Sequence, residues 1–228
     1  MRHPGLRLEI LAVVLTCTAF ALGFDVDERD VLWYGQDDID DQTAMEAMMK
    51  AIDGNGAFCD LDGDFLPVCT WSGVECNSED QVESINWSDM STGITGGHIL
   101  IEWLPRRLQN ICIPDRELNG EIETVLLPPK TREVILSGNH LHGSLDCTQF
   151  PPLLEVFDVH SNLLHGPLDL THLSTLLRIL RVDDNRIHQD VVPVLLSSSI
   201  SLIDVRFNQI GAFVTQKGTE CTDSRIFV

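Results

Sequence analysis

Basic residues are scarce in this 228-residue chain, with 15 Lys and Arg against 35 Asp and Glu and a formal net charge of −20. That balance excludes a nucleic-acid partner, because neutralising phosphates takes clustered cations. Aromatics are few, at 6% with one Tyr, which leaves Leu, Ile and Val as the main apolar stock. Beyond Phe24 no apolar run is long enough to span a bilayer. Val191 to Val205 comes nearest, and Pro193 and four serines interrupt it. A nucleophile elbow, an H-E-x-x-H pair, a phosphate-cradling Gly-rich loop and the protein-kinase set are all missing. We therefore expect no enzyme, no cofactor and no catalytic residue. What is present is 43% hydrophobic residues, enough for a packed core and too many for a disordered chain.

The N-terminus reads as an address. Arg2, His3 and Arg7 precede the apolar run Ile10 to Phe24, and Ala21 and Gly23 are small residues spaced for cleavage. Residues 1–23 fit a secretory signal peptide, with an uncleaved anchor as the alternative. The expected location is extracellular or cell-surface, with no membrane span in the mature chain. Cys17 leaves with the signal, so Cys59, Cys69, Cys76, Cys112, Cys147 and Cys221 remain as disulfide candidates before metal ligands. In the same compartment Asn86-Trp87-Ser88 is a glycosylation sequon at Asn86.

Charge then divides the rest. Residues 24–81 hold 16 acidic and 2 basic side chains, whereas residues 82–228 hold 18 and 11. The first stretch carries one helix pattern, roughly Asp41 to Asp53. Asp40 or Asp41 can cap it, Met45, Met48, Met49 and Ile52 form its apolar stripe, and Gly54 can end it. Asp60-Leu61-Asp62-Gly63-Asp64 opens like a calcium loop. Phe65 stands where the sixth-position Gly belongs and Trp71 where the twelfth-position Glu belongs, so no metal is expected.

Residues 82–228 repeat. Asn139, Asn162, Asn185 and Asn208 recur every 23 residues. Leu141, Leu164, Ile187 and Ile210 keep step with them, as do Leu136, Val159, Val182 and Val205, and Val134, Phe157, Leu180 and Ile203. Gly143 and Gly166 follow two of the Asn units. Earlier copies begin at Leu108, with Arg116 in the Asn place, and at Val82. A further column holds Leu104, Leu127, Phe150, Leu173 and Leu196, with Pro105, Pro128 and Pro151 after three of them. A fixed period of this length implies stacked units. Each places a short strand at the same site, about 4.8 Å from the next, with the apolar columns turned into one core. The Asn side chains are expected to bond buried loop backbone. Arg116 accepts no hydrogen bond, so the second repeat should be looser there.

The pattern L-x-x-L-x-L-x-x-N-x-L resembles the leucine-rich repeat (LRR), in about six copies. Cys69-Thr70-Trp71-Ser72-Gly73-Val74-Glu75-Cys76 is similar to the N-terminal cap of plant extracellular LRR proteins. Kinetoplastid surface LRR proteins carry a similar cap, and the Leu127-Pro128-Pro129 and Phe150-Pro151-Pro152 spacers look more like theirs. The resemblance implies an α/β solenoid, a right-handed coil with a parallel β-sheet on its concave face and a helical N-terminal cap. It also implies a Cys69–Cys76 disulfide, worth roughly 2–3 kcal/mol for so short a loop. The other four cysteines allow three connectivities. Thr215 to Val228 either closes the last repeat or leaves an edge open to self-association.

Family members bind partners on the concave sheet, which implies a binding module for protein, peptide or glycan there. The alternative is a surface or structural antigen without a dedicated ligand. The outward positions of the fourth to sixth repeats are Asp158, His160, Arg181, Asp183, Asp204 and Arg206, beside an apolar column of Val156, Ile179 and Leu202. They read either as a self-paired charge ladder or as a recognition face. His142, His165 and His188, at the same spacing, read as repeat duplication on a solvated flank rather than as a metal or pH site.

Overall fold

A computed structural model describes residues 39–89 and 93–228. The expected signal peptide, residues 1–23, and residues 24–38 of the acidic stretch lie outside the described residues. Asp41–Val228 packs as one unit.

Helix α1 spans Asp41–Met49 and buries Ala44, Met45, Met48 and Met49. It stops short of the expected end at Asp53, because Ile52–Asp53 forms strand β1, antiparallel to β4 (Gly96–His98). Gly97 makes that approach feasible. Its φ is 100°, and a Cβ there would lie 2.4 Å from the Ala51 carbonyl oxygen. Ile52 is buried all the same, so the apolar stripe is kept while its last residue changes element. The Asp41 carboxylate accepts from the Val82 amide at 2.7 Å and ties the helix to the first repeat.

The period becomes a ladder. Strands β3 (Val82–Asn86), β5 (Asn110–Cys112), β7 (Glu133–Ile135), β9 (Val156–Asp158), β10 (Ile179–Arg181), β12 (Leu202–Asp204) and β14 (Ile226–Phe227) pair in parallel as seven rungs. β2 (Val74–Cys76) adds an antiparallel strand at the cap end. The register runs Ile85, Ile111, Val134, Phe157, Leu180, Ile203 and Ile226, one residue per rung. Every member from Ile85 to Ile203 is fully buried, worth roughly 1.5–3 kcal/mol per side chain against exposure. The seventh rung occupies the stretch that the sequence left open: Ile226 pairs with Ile203, one full period earlier. Thr215 to Val228 therefore lays one more strand on the ladder.

The Asn column knits the turns. Asn139 donates to the carbonyls of Ile113, Leu136 and Ser137 and accepts from the amides of Arg116 and Leu118. Asn162, Asn185 and Asn208 repeat the three donations, and each accepts one amide from the repeat before. Arg116 is 2% exposed and donates to the Trp87 carbonyl at 2.7 Å. It takes over a donor role and packs tightly, contrary to the looseness expected there. The acceptor role is lost, since a guanidinium has no lone pair to offer.

A second layer of pairing was not anticipated. β4, β6 (Leu118–Glu121) and β8 (His140–His142) form parallel pairs on the flank, with β1 at their edge. Further on, β11 (His188–Val194) pairs with β13 (Gln209–Thr215). The Leu-x-Gly positions build this layer: a Cβ on Gly120 would come within 2.9 Å of the Ile99 carbonyl oxygen.

At the cap end Cys69 and Cys76 form a disulfide, with their Cα atoms 5.7 Å apart. Trp71 and Trp87 lie with their centroids 5.1 and 5.4 Å from that of Phe58. Their indole N–H groups donate to the carbonyls of Leu66 and Ser72, so both rings are buried without an unmet donor. Cys59, Cys112, Cys147 and Cys221 are free thiols. None of the three disulfide connectivities left open for them forms. Among the described residues no helix is long and apolar enough to cross a membrane.

Candidate functional site

Strand alternation turns every second side chain of the ladder away from the core. One outward column reads Ser84, Asn110, Glu133, Val156, Ile179 and Leu202. The next reads Asn86, Cys112, Ile135, Asp158, Arg181, Asp204 and Phe227. His160, Asp183 and Arg206 follow two positions after Asp158, Arg181 and Asp204. Asp158, Arg181 and Asp204 therefore share one face of β9, β10 and β12, beside the half-buried strip of Val156, Ile179 and Leu202, and His160, Asp183 and Arg206 stand two residues past the ends of these strands.

The charges on this face are largely paired with one another. Arg181 divides its guanidinium between Asp158, at 3.2 Å, and Asp183, at 3.3 Å. Arg206 grips Asp204 with two bonds, of 2.9 and 2.6 Å. The His160 ring lies 2.6 Å from Asp158. The Arg206 hydrogen bond holds the buried Asp204 carboxyl below its ordinary range, and the same bond raises Arg206. The pairing is incomplete at one atom: Oδ1 of Asp183 is buried with no hydrogen-bond partner among the described residues.

Asn86 sits exposed at the opposite end of the same face, on the first rung. Its side-chain carbonyl accepts from the amide and the hydroxyl of Ser88, at 3.1 and 2.7 Å. Its neighbour Cys112 is half-buried, and burial pushes its thiol up, with Glu133 and Asp158 adding to the effect. A thiol so shifted is a poor nucleophile.

The other candidates do not assemble into sites. His142 stands 3.7 Å from Glu121, and His188 lies 3.0 Å from Gln209. Among the described residues no group of three or more His, Cys, Asp or Glu is placed to hold a metal. In the aspartate-rich loop Asp60 accepts from the amides of Asp62 and Asp64, at 2.9 and 3.0 Å. That carboxylate closes its own turn.

Two aromatics escaped the sequence reading. Phe207, 78% exposed, and Phe227, 44% exposed, border Arg206, whose guanidinium lies 5.7 Å from the Phe227 ring centroid. The signal for both was the period itself. Phe207 continues the column of Gly138, Ser161 and Asp184, and Phe227 that of Arg181 and Asp204.

No protein-family model matches the sequence, and no curated protein does. Solved structures do match. The BIR2 ectodomain from Arabidopsis thaliana aligns with a TM-score of 0.59 at 20% identity, over 80% of this chain and 98% of that one. The LRR ectodomain of the receptor kinase SOBIR1 from Arabidopsis thaliana aligns at 0.58 and 18% identity, over 78% and 96%. The BIR3–SERK2 complex from Arabidopsis thaliana aligns at 0.56 and 19% identity, over 81% and 100%. At these identities the likeness is one of fold: the chain has the fold of an LRR solenoid, with about six turns and, among the described residues, one α-helix, Asp41–Met49.

Proposed function

We propose that this LRR solenoid is a secreted, non-enzymatic binding module that recognises a protein, peptide or glycan on the outward face of β9, β10 and β12. The observation that carries the reading is the composition of that face. An apolar strip of Val156, Ile179 and Leu202 lies half-open to solvent beside a column of charges. Apolar ground beside fixed polar groups is the usual make-up of a recognition surface. Fold likeness supports the mode of action and leaves the ligand unidentified; one neighbour comes from a complex of two proteins, BIR3 and SERK2.

Secretion rests on the N-terminal pattern and on the disulfide, which belongs to an oxidising compartment. Asn86 is the proposed glycan acceptor. A glycan there would occupy the first rung and confine a ligand to the later ones.

The test uses the chain expressed in a secretory cell line and panned against a random peptide library. Binding should change at least tenfold, in either direction, when Arg181→Glu and Arg206→Glu are introduced together, with the circular dichroism spectrum unchanged. Binding insensitive to that double reversal refutes the reading and favours a structural coat protein whose charges only satisfy one another.

A further inference from the structure

Asp183 differs from the other charges on the face. Its side chain is 9% exposed, and among the described residues its Oδ2 is held only by the shared Arg181 guanidinium at 3.3 Å. Its Oδ1 has no hydrogen-bond partner among the described residues. A buried carboxylate oxygen without a donor is costly, and native folds rarely leave one unless the position has a use. The neighbouring side-chain nitrogens are committed elsewhere. Arg206 is engaged with Asp204 through two nitrogens, and the His160 ring is turned to Asp158.

An independent observation lies one residue further along. Asp115, Gly138, Ser161, Asp184 and Phe207 occupy the same place in successive repeats. Each has a positive φ, between 53° and 66°. That left-handed backbone suits Gly and tolerates Asp; for a large ring it is strained. Phe207 is 78% exposed, so the ring neither fills the core nor suits its backbone. Strain kept at an exposed position points to function. The Asp184 amide donates to the Arg206 carbonyl at 2.8 Å, which sets Asp184 on the rung beside Phe207. Local charge adds to this. Residues 155–207 hold seven Asp and Glu against four Arg, in a chain of net charge −20.

Resting on the reading of this face as a binding surface, we propose that Asp183 receives a cationic side chain, guanidinium or ammonium, from a peptide or protein ligand, with the Phe207 ring packed against the cation. The incoming donor would satisfy Oδ1, and an exposed aromatic face attracts a cation within about 6 Å. The net negative field would draw such a ligand in.

The probe is the set of peptides selected from the random library on the whole chain. Each is then compared with a copy in which Arg becomes citrulline or Lys becomes norleucine. The selected peptides should share a basic residue, and neutralising it should weaken binding by about tenfold to a hundredfold. Asp183→Asn should cause a similar loss for the parent peptide and little further loss for the neutral copy. Phe207→Gly should weaken binding several-fold while raising the melting temperature, because Gly accepts the left-handed backbone; a purely structural ring would not split the two effects. Should Asp183→Asn misfold, the neutral peptides and Phe207→Gly decide the matter alone. Selected peptides whose affinity changes with the Arg181/Arg206 reversal, but that lack a common basic residue and tolerate Asp183→Asn within twofold, would overturn the cation assignment and leave the binding face standing. Peptides indifferent to every one of these changes, or a library that yields no binder, would overturn both.

Discussion

Replacing Asn139 by Ala should destabilise the chain far more than the same change at Asn162, although both occupy the same column. The difference lies in which backbone groups are left without a partner. The Leu136 carbonyl accepts from both Asn139 and Asn162, and the Val159 carbonyl from both Asn162 and Asn185. The His160 carbonyl also accepts from the Gly138 amide, and that of Ser137 from the Asp115 amide. Removing Asn162 therefore orphans chiefly the Leu141 amide. Removing Asn139 orphans the amides of Arg116 and Leu118 and the Ile113 carbonyl, which no preceding Asn reaches because Arg116 stands there. At about 1–3 kcal/mol per buried unsatisfied group, Asn162→Ala should cost about 1–3 kcal/mol and Asn139→Ala, with three such groups, about 3–9 kcal/mol. For a chain of this size that is roughly 2–4 °C of melting temperature per kcal/mol. Urea denaturation followed by circular dichroism measures the two, and hydrogen exchange at Leu118 and Leu141 localises the damage. Equal losses, or a larger loss at Asn162, would refute the idea that the shared carbonyls protect the ladder interior.

Four further outcomes are expected. Cys69→Ser with Cys76→Ser should cost about 2.5 kcal/mol, read as the shift in urea midpoint that dithiothreitol produces in the parent and fails to produce in the variant. Gly97→Ala should unfold the β1–β4 pairing, seen as fast amide exchange at His98, because the new Cβ would meet the Ala51 carbonyl oxygen at 2.4 Å. The Arg225 side chain, with its backbone amide, holds the Asp223 carboxyl down to about 2. Its folded value is thus below its unfolded one, so the pair contributes above pH ~4 and that contribution fades as the pH falls toward 2. Amide exchange at Ile203, which donates to the Arg225 carbonyl, should accelerate over that window, and Asp223→Asn should remove the pH dependence. Finally, Asn86→Gln should abolish any endoglycosidase-sensitive mobility shift of the secreted chain.

The fixed spacing of the repeat was enough to establish the solenoid, its core columns and the outward row of Asp158, Arg181 and Asp204. A repeat constrains position, since equal spacing puts equal residues at equal places on successive rungs. It also placed Asn139, Asn162, Asn185 and Asn208 at the turns, because a short amide side chain both donates and accepts. What the repeat did not settle depends on atoms brought together across it. The helix ends at Met49, since Ile52 meets Gly97 from a distant part of the chain, and local propensity has no access to that contact. The flank strands form because Gly120 and Gly97 let neighbouring turns close in. Ile226–Phe227 becomes a seventh rung by hydrogen bonding to β12, although its own sequence carries only a fragment of the repeat. Nor did spacing reveal that Arg181 would be shared, leaving one oxygen of Asp183 unmet. Periodicity decides which residues face outward; only three-dimensional packing decides which of them find partners there, since a hydrogen bond depends on atomic distance and the sequence records only order.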